Sequence, residues 1–247
     1  VITCIPEFGL LFLVFTLPFY SLFRHPTIFA VIICLCVLIS TLIKVLRGKR
    51  SFAMDPLDSL IFLFIILVFF GGVITFGGIA SFNAAITMTV MGLIYFSVTA
   101  LIKSKEWVER ILSAFMASSI IVSFIGILQR ALNLQSDIWQ DNEVFASISG
   151  RVFSLWENPN VLAEYILIAF FMSSAYLMFS KKQTRTTFSL VTMAMSLLCL
   201  ALTWSRGAWL SLAVSVVIML VVRTHKSLPW VVILILAAFI FLPVAPE

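Results

Sequence analysis

The stretch TIFAVIICLCVLISTLI, residues 27–43, decides the fold class, because it carries no charged residue and is followed at once by KVLRGKR, residues 44–50. A helix that crosses a bilayer needs about 20 mostly apolar residues, within a range of roughly 17–25. The run is continuously apolar rather than alternating, so it predicts a spanning helix and not a barrel strand. Nine such helices are expected, at about 8–23, 27–43, 57–76, 84–102, 108–129, 161–180, 187–204, 207–222 and 229–245.

The composition of the whole chain agrees with this interpretation. Of its 247 residues, 62% are hydrophobic and 11% are charged, against about 25% charged residues in soluble domains. Such a chain cannot cover its apolar surface in water, so we predict an all-α, polytopic transmembrane helical bundle that forms a single domain over 1–247. The lipid bilayer is therefore an expected partner and nucleic acid is not. The chain starts with Val and stops where a loop should begin, so it is also expected to continue beyond 247.

The cations predict how this bundle is oriented. Twelve of the 16 Lys and Arg follow predicted helices two, four, six and eight: Lys44, Arg47, Lys49, Arg50, Lys103, Lys105, Arg110, Lys181, Lys182, Arg185, Arg223 and Lys226. The positive-inside rule places these in the cytoplasm together with the start of the first helix. The four remaining cations, expected outside, are all arginines: Arg24, Arg130, Arg151 and Arg206. Arginine is the cation whose planar fork of donors suits phosphate or carboxylate.

The long outer loop, residues 130–160, is one candidate site, because extended polar segments on a helical scaffold often carry function. It ends in WENPN, residues 156–160. Asn158 is expected to cap the next helix through its side-chain oxygen, with Pro159 at the first helical position. The functional alternative is that this helix start, including Asn160, forms an anion site together with Arg151. Arg130, at the end of helix five, is the further candidate on this side.

A second motif, TWSRGAWL at 203–210, joins predicted helices seven and eight with almost no loop. Ser205 is expected to cap helix eight, and Gly207 to let the backbone turn. Arg206 would then lie near hydrocarbon depth between two tryptophans, which makes it a site candidate by default, with a snorkelling interface arginine as the alternative.

Glu164, one turn into predicted helix six, is expected to form an ion pair with Arg151 or Arg206, with a catalytic carboxylate as the alternative. It is the one acid expected inside a helix. Proton- or sodium-coupled carriers commonly place ionisable groups at mid-depth, so this pattern disfavours a carrier. No metal site or disulfide is expected either, because the four cysteines lie in apolar runs without a CxxC pattern, and His25 and His225 lack ligand-spaced partners.

The segment RVFSLWENPNVLA, residues 151–163, is followed by a helix, a basic turn, a helix and LTWSRGAWL, residues 202–210. Together these motifs resemble the O-antigen ligase and polymerase superfamily of bacterial envelope polysaccharide enzymes. The similarity covers about residues 150–222, and the earlier helices fit only in number and hydropathy.

The resemblance implies a bacterial inner-membrane glycosyltransferase that uses no metal and no nucleotide sugar. It would pass a glycan from a polyprenyl-diphosphate carrier to a hydroxyl of a glycan or lipid acceptor on the outer face. Arg206, which with Leu210 matches the family's Arg-x-x-x-Leu pattern, and Arg151 would be the catalytic cations that hold the diphosphate. The remaining candidate binding residues are Arg130, Asn158, Asn160, Ser205 and Glu164.

In that family the proposed base is a histidine in a large outer loop nearer the C-terminus, and this chain stops before such a loop. Residues 1–247 alone are therefore expected to insert in a membrane but to be inactive. A transporter of small anions, of the bicarbonate type, is the alternative, because some members of the superfamily carry that label. A structural membrane scaffold is a third reading, which the outer arginines make less attractive.

Overall fold

The computed structural model describes residues 6–23, 26–48, 55–75, 77–134, 150–179 and 183–223. Within these ranges the chain is helical and has no strand, which confirms the all-α prediction. The helices are α1 Pro6–Thr16, a 3-10 helix Leu17–Leu22, α2 Pro26–Leu46, α3 Pro56–Ile74, α4 Gly78–Leu101, α5 Lys105–Ala131, α6 Pro159–Phe179, α7 Gln183–Thr203 and α8 Arg206–Arg223.

Six of the described helices, α2 to α7, are long and apolar enough to cross a bilayer, as in a multi-pass membrane protein. The first and eighth predicted spans correspond to shorter apolar helices, Pro6–Leu22 and Arg206–Met219. The ninth, 229–245, lies outside the described residues. The predicted count of nine spanning helices is therefore not confirmed, whereas the helical and apolar character of the chain is.

The first predicted span, 8–23, is not one continuous α-helix. Its α-helical part ends at Thr16, and Leu17–Leu22 continues as a tighter 3-10 helix with Pro18 in its first turn. Proline has no backbone N–H and its ring clashes with the carbonyl four residues earlier, so an α-helix cannot continue through it undisturbed. The hydroxyl of Thr16 donates to Phe12 O at 2.7 Å and lies 3.0 Å from the hydroxyl of Tyr20 at the break.

Most of the helices begin before the apolar runs do, because their first turns carry polar or capping residues. In α3, Asp55 and Asp58 form a capping box: each side chain accepts a hydrogen bond from the other's backbone N–H, at 2.9 and 3.0 Å. The hydroxyl of Tyr95 in α4 also donates to Asp58 Oδ1 at 2.8 Å. This links the start of α3 to the last part of α4.

The described chain packs as two compact units, residues 1–118 and 119–247, with the division inside α5. The first unit buries Leu10, Leu13, Val37 and Leu101. It also buries Glu7, which is 2% exposed and receives two hydrogen bonds from Lys44 Nζ at 2.6 and 2.8 Å. This ion pair ties the start of α1 to the end of α2.

The acids of the first unit correct one expectation. Glu164 is not the one acid inside a helix, because Glu7, Asp58, Glu106 and Glu109 also lie within α1, α3 and α5. Glu7 and Glu106 lie in first turns that precede the predicted apolar spans, whereas Asp58 and Glu109 fall inside the predicted spans 57–76 and 108–129 and were overlooked there. Glu7 and Asp58 are buried, and both are held in hydrogen bonds.

The second unit has its core where α5, α6, α7 and α8 meet residues 150–158. Its fully buried side chains include Val122, Val152, Leu162, Ile166 and Leu200. One face of α7 is lined by small, buried side chains that recur every three or four residues: Ser189, Thr192, Ser196, Cys199 and Thr203. Small residues on one face allow helices to approach closely in a membrane protein.

Several sequence predictions fall on residues outside the described ranges. They concern the cations Arg24, Lys49, Arg50, Lys181, Lys182 and Lys226, both histidines, Cys4, and residues 135–149 of the outer loop.

Candidate functional site

The second unit carries the predicted site residues around an irregular segment, residues 150–158, that leads into α6. The backbone of this segment is attached to α7, because Val152 N donates to Leu202 O at 3.2 Å. It is attached to α5 through the side-chain amide of Gln129, which bonds the backbone of Phe153 and Ser154. Because this irregular segment is hydrogen-bonded on two sides, its backbone holds its side chains in fixed positions.

Arg151 extends from this segment and joins two helices. Its Nε donates to Thr203 O at the end of α7, at 2.7 Å, and its Nη2 donates to Asn160 Oδ1 at the start of α6, at 2.9 Å. A guanidinium has five N–H donors, so three are left without a partner among the described residues. Partial burial lowers the pKa of the Arg151 guanidinium from its usual value. Arginine starts so far above neutrality that this group stays charged at neutral pH.

The start of α6 has the predicted capping geometry. Asn158 Oδ1 accepts a hydrogen bond from Asn160 N at 2.9 Å, and Pro159 is the first helical residue. Asn158 O also accepts from Leu162 N at 3.3 Å, which begins the helical ladder. The cap is therefore confirmed. Because Asn160 also receives the hydrogen bond from Arg151, the structure brings Arg151 and this helix start together, as the functional alternative predicted.

The turn between α7 and α8 is built differently from the prediction. Trp204, not Gly207, has the left-handed backbone, with a φ of 53°, and Gly207 lies inside α8. Ser205 occupies the cap position, since its carbonyl accepts from Trp209 N at 3.1 Å. Among the described residues, however, its hydroxyl accepts no N–H of α8. The bond that fixes the turn comes from Thr203, whose Oγ1 accepts from Ser205 N at 3.3 Å.

Arg206 is the first residue of α8 and is exposed. Its guanidinium makes no hydrogen bond or ion pair with any described residue. It lies three residues after Thr203, whose carbonyl Arg151 holds, so both arginines belong to the same end of the second unit. The indoles of Trp204 and Trp209 on either side are 49% and 37% exposed. Among the described residues, Arg206 is thus an exposed cation that is not engaged by the rest of the chain.

The two other ionisable residues predicted for the site, Arg130 and Glu164, make no hydrogen bond or ion pair with Arg151 among the described residues. Arg130 is exposed and its Nη1 donates to Gly150 O at 3.2 Å. Gly150 has a φ of +88°, and a Cβ there would collide with the Arg130 guanidinium, so this contact requires glycine. Glu164 is exposed, and within the described part of the chain it pairs with neither Arg151 nor Arg206. The predicted ion pair is therefore wrong for the described residues, where Arg151 bonds the Thr203 carbonyl and Asn160 Oδ1 instead.

Sequence reasoning missed three residues that build the site: Gln129, Ser154 and the backbone of Thr203. Ser154 is 6% exposed, has a φ of 52°, and donates from its Oγ to Val122 O at 2.7 Å. The one available signal was the amide of Gln129, a polar side chain in the last turns of an apolar helix. Its partners are 24 and 25 residues away, so no local pattern identifies them.

The chemistry that this arrangement supports is the binding of an anion. Arginine N–H groups beside a helix N-terminus attract phosphate or carboxylate oxygens through charge and hydrogen bonds. The segment before α6 also packs an aromatic ring on this helix, since the ring centroids of Trp156 and Tyr165 are 5.1 Å apart. No group of three or more His, Cys, Asp or Glu able to hold a metal ion occurs within the described ranges.

Comparisons with family models, with curated proteins and with solved structures found no match to this chain.

Proposed function

We propose that this protein is a glycosyltransferase of the bacterial inner membrane, of the O-antigen ligase or polysaccharide polymerase type. It transfers a glycan from a polyprenyl-diphosphate carrier to a hydroxyl of a glycan or lipid acceptor on the outer face. The observation that carries the proposal is the geometry of Arg151. Its guanidinium is fixed between Thr203 O and Asn160 Oδ1, and its three other N–H groups have no partner in the described ranges.

The two arginines suit a diphosphate leaving group in different ways. The acceptor hydroxyl gives its proton to a base, for which the resemblance implies a histidine, and its oxygen bonds to the anomeric carbon. The carbon–oxygen bond to the diphosphate breaks in the same step, and the electron pair of that bond stays on the diphosphate. Donors that are already oriented stabilise this charge without having to reorganise. Arg151 is such a donor because two hydrogen bonds hold it. Arg206, which is exposed and unpaired among described residues, is free to close on the headgroup after it enters.

The position of the site agrees with a donor whose tail stays in the bilayer. Residues 150–158 join α5 and α6, both long and apolar enough to span a membrane, and Thr203 ends α7, a third such helix, so a bound headgroup would keep its polyprenyl chain among lipids. In the proposed mechanism the positive charge that many transferases take from a metal ion is supplied by arginine. Binding of the donor is therefore expected to persist in the presence of a chelator.

The test is a binding measurement with the full chain in lipid nanodiscs, using polyprenyl diphosphate and polyprenol as probes. We expect binding of the diphosphate only, and a loss of about tenfold or more in Arg151→Ala and in Arg206→Ala, because a hydrogen bond to a charged group contributes roughly 1.5–3 kcal/mol. Lys105→Ala, which removes an exposed cation of the first unit, is the matched control and should bind as the wild type does. Equal binding of both probes, or transport of bicarbonate by vesicles that bind neither, would contradict the proposal.

A further inference from the structure

The side chain of Gln129 holds the segment that carries Arg151. Its Oε1 accepts hydrogen bonds from Phe153 N at 3.3 Å and from Ser154 N at 2.7 Å, while its Nε2 donates to Ser154 O at 2.7 Å. One amide thus satisfies three backbone groups of a segment that has no regular secondary structure. Backbone groups in such a place need partners, because leaving one buried and unpaired costs about 1–3 kcal/mol.

The segment needs this support because its backbone is strained. Ser154 has a φ of 52°, a left-handed conformation that costs a residue other than glycine roughly 1–2 kcal/mol. Such a conformation persists when surrounding contacts determine it. Here the contacts are the Gln129 amide on the backbone and the bond from Ser154 Oγ to Val122 O at 2.7 Å. Both come from α5, so this helix sets the course of the segment.

Arg151 lies two residues before Phe153 and three before Ser154, the two residues whose backbone Gln129 holds. The residue between, Val152, is 1% exposed and bonded through its N–H to α7. Any shift of Phe153 and Ser154 would therefore be passed through a fully packed residue to the Arg151 backbone. The Arg151 guanidinium, whose bonds to Thr203 O and Asn160 Oδ1 are 2.7 and 2.9 Å long, would then lose its alignment. Charge-assisted bonds of this kind depend on such alignment.

We propose that Gln129 is a positioning residue for the anion site: it does not touch the ligand, but it fixes the 150–158 segment so that Arg151 presents its free N–H groups to a diphosphate. This inference rests on the proposed function for the identity of the ligand. The holding of residues 150–158 by Gln129, which we call the clamp, rests on the three hydrogen bonds alone.

The decisive variant is Gln129→Met, because methionine keeps the length and volume of glutamine and removes the hydrogen bonds. Gln183→Met, at the exposed start of α7, is the matched control. In nanodiscs holding the full chain, we expect Gln129→Met to bind polyprenyl diphosphate about tenfold more weakly than wild type, which corresponds to the loss of one to two net hydrogen bonds. Hydrogen–deuterium exchange of the peptide covering 150–158 should speed up in this variant and not in the control.

A double-mutant cycle separates positioning from general destabilisation. If Gln129 acts through Arg151, adding Gln129→Met to Arg151→Ala should weaken binding no further. Additive losses, or wild-type binding by Gln129→Met, would overturn the inference while leaving the role of Arg151 intact. If the wild-type protein binds no lipid diphosphate, the proposed function fails, and exchange alone decides the clamp: unchanged exchange of 150–158 in Gln129→Met would overturn it.

Discussion

At the scale of single residues, the two arginines of the candidate site differ in how many of their N–H donors are engaged within the protein. Arg151 is half-buried and bonded to α6 and α7, so its bonds stabilise the fold in addition to the binding role that we propose for it. Arg206 is exposed and has no described partner. Substitutions at these two positions should therefore have different effects. Those at Arg151 should lower both stability and binding, and those at Arg206 should lower binding alone.

Arg206→Lys keeps the charge of Arg206 and removes its fork. A diphosphate oxygen pair bound by two parallel N–H groups needs the planar guanidinium, which an ammonium group cannot replace. We expect polyprenyl-diphosphate binding to fall about tenfold in nanodiscs, with an unchanged thermal unfolding midpoint. Binding at the wild-type level, with normal amounts of protein in the membrane, would show that a point charge suffices and that Arg206 only snorkels.

Residue predictions succeeded where the determining interaction is local. The cap by Asn158 and the start of α6 at Pro159 follow from neighbours in sequence, and both were predicted correctly. The predicted ion pair of Glu164 failed, and Gln129 was missed, because both depend on which residues distant parts of the chain bring together. The left-handed turn at Trp204 was also missed, since glycine is the residue that usually adopts this conformation.

At the scale of helices, α5 and α7 approach closely at one glycine. A Cβ placed on Gly126 would lie 2.9 Å from Cys199 Sγ, so Gly126→Ala requires the cysteine to move. Overpacking of this kind typically costs about 1–3 kcal/mol. We expect Gly126→Ala to lower the thermal unfolding midpoint. Combining it with Cys199→Ala, which removes the obstructing sulfur, should recover most of the loss, and a failure to recover would show that the helices meet elsewhere.

The helices themselves were predictable to within a few residues at most ends, and the errors have a common cause. The predicted starts at 84, 108 and 187 fall three to six residues inside the observed ones at Gly78, Lys105 and Gln183. A search for apolar residues detects the part of a helix that suits hydrocarbon. The backbone hydrogen bonds, however, continue into polar first turns. Among the described helices, the break at Pro18 is the one place where the type of helix differs from the prediction.

At the scale of the whole molecule, the distribution of cations predicts which helix ends face the cytoplasm, and labelling can test it. A membrane-impermeant maleimide should modify Leu134→Cys, just after α5, in intact cells. It should modify Ser104→Cys, just before α5, only after the cells are permeabilised. Both positions are exposed, so access and not burial decides the outcome. The reverse pattern would invert the orientation and move Arg151 and Arg206 to the cytoplasmic side.

The buried bond between Glu7 and Lys44 has a consequence for biogenesis. The two residues are 37 positions apart, so the carboxylate of α1 leaves the ribosome while its counter-ion is still inside it. An unpaired charge costs about 2.5–3.5 kcal/mol at the centre of an inserting helix, and less toward its ends. We expect nascent chains long enough to expose α1 but still holding Lys44 inside the ribosome to leave α1 accessible to protease, and longer ones to protect it. The translocon would thus receive α1 and α2 as one hairpin, with Lys44 acting as the signal that releases the pair into lipid.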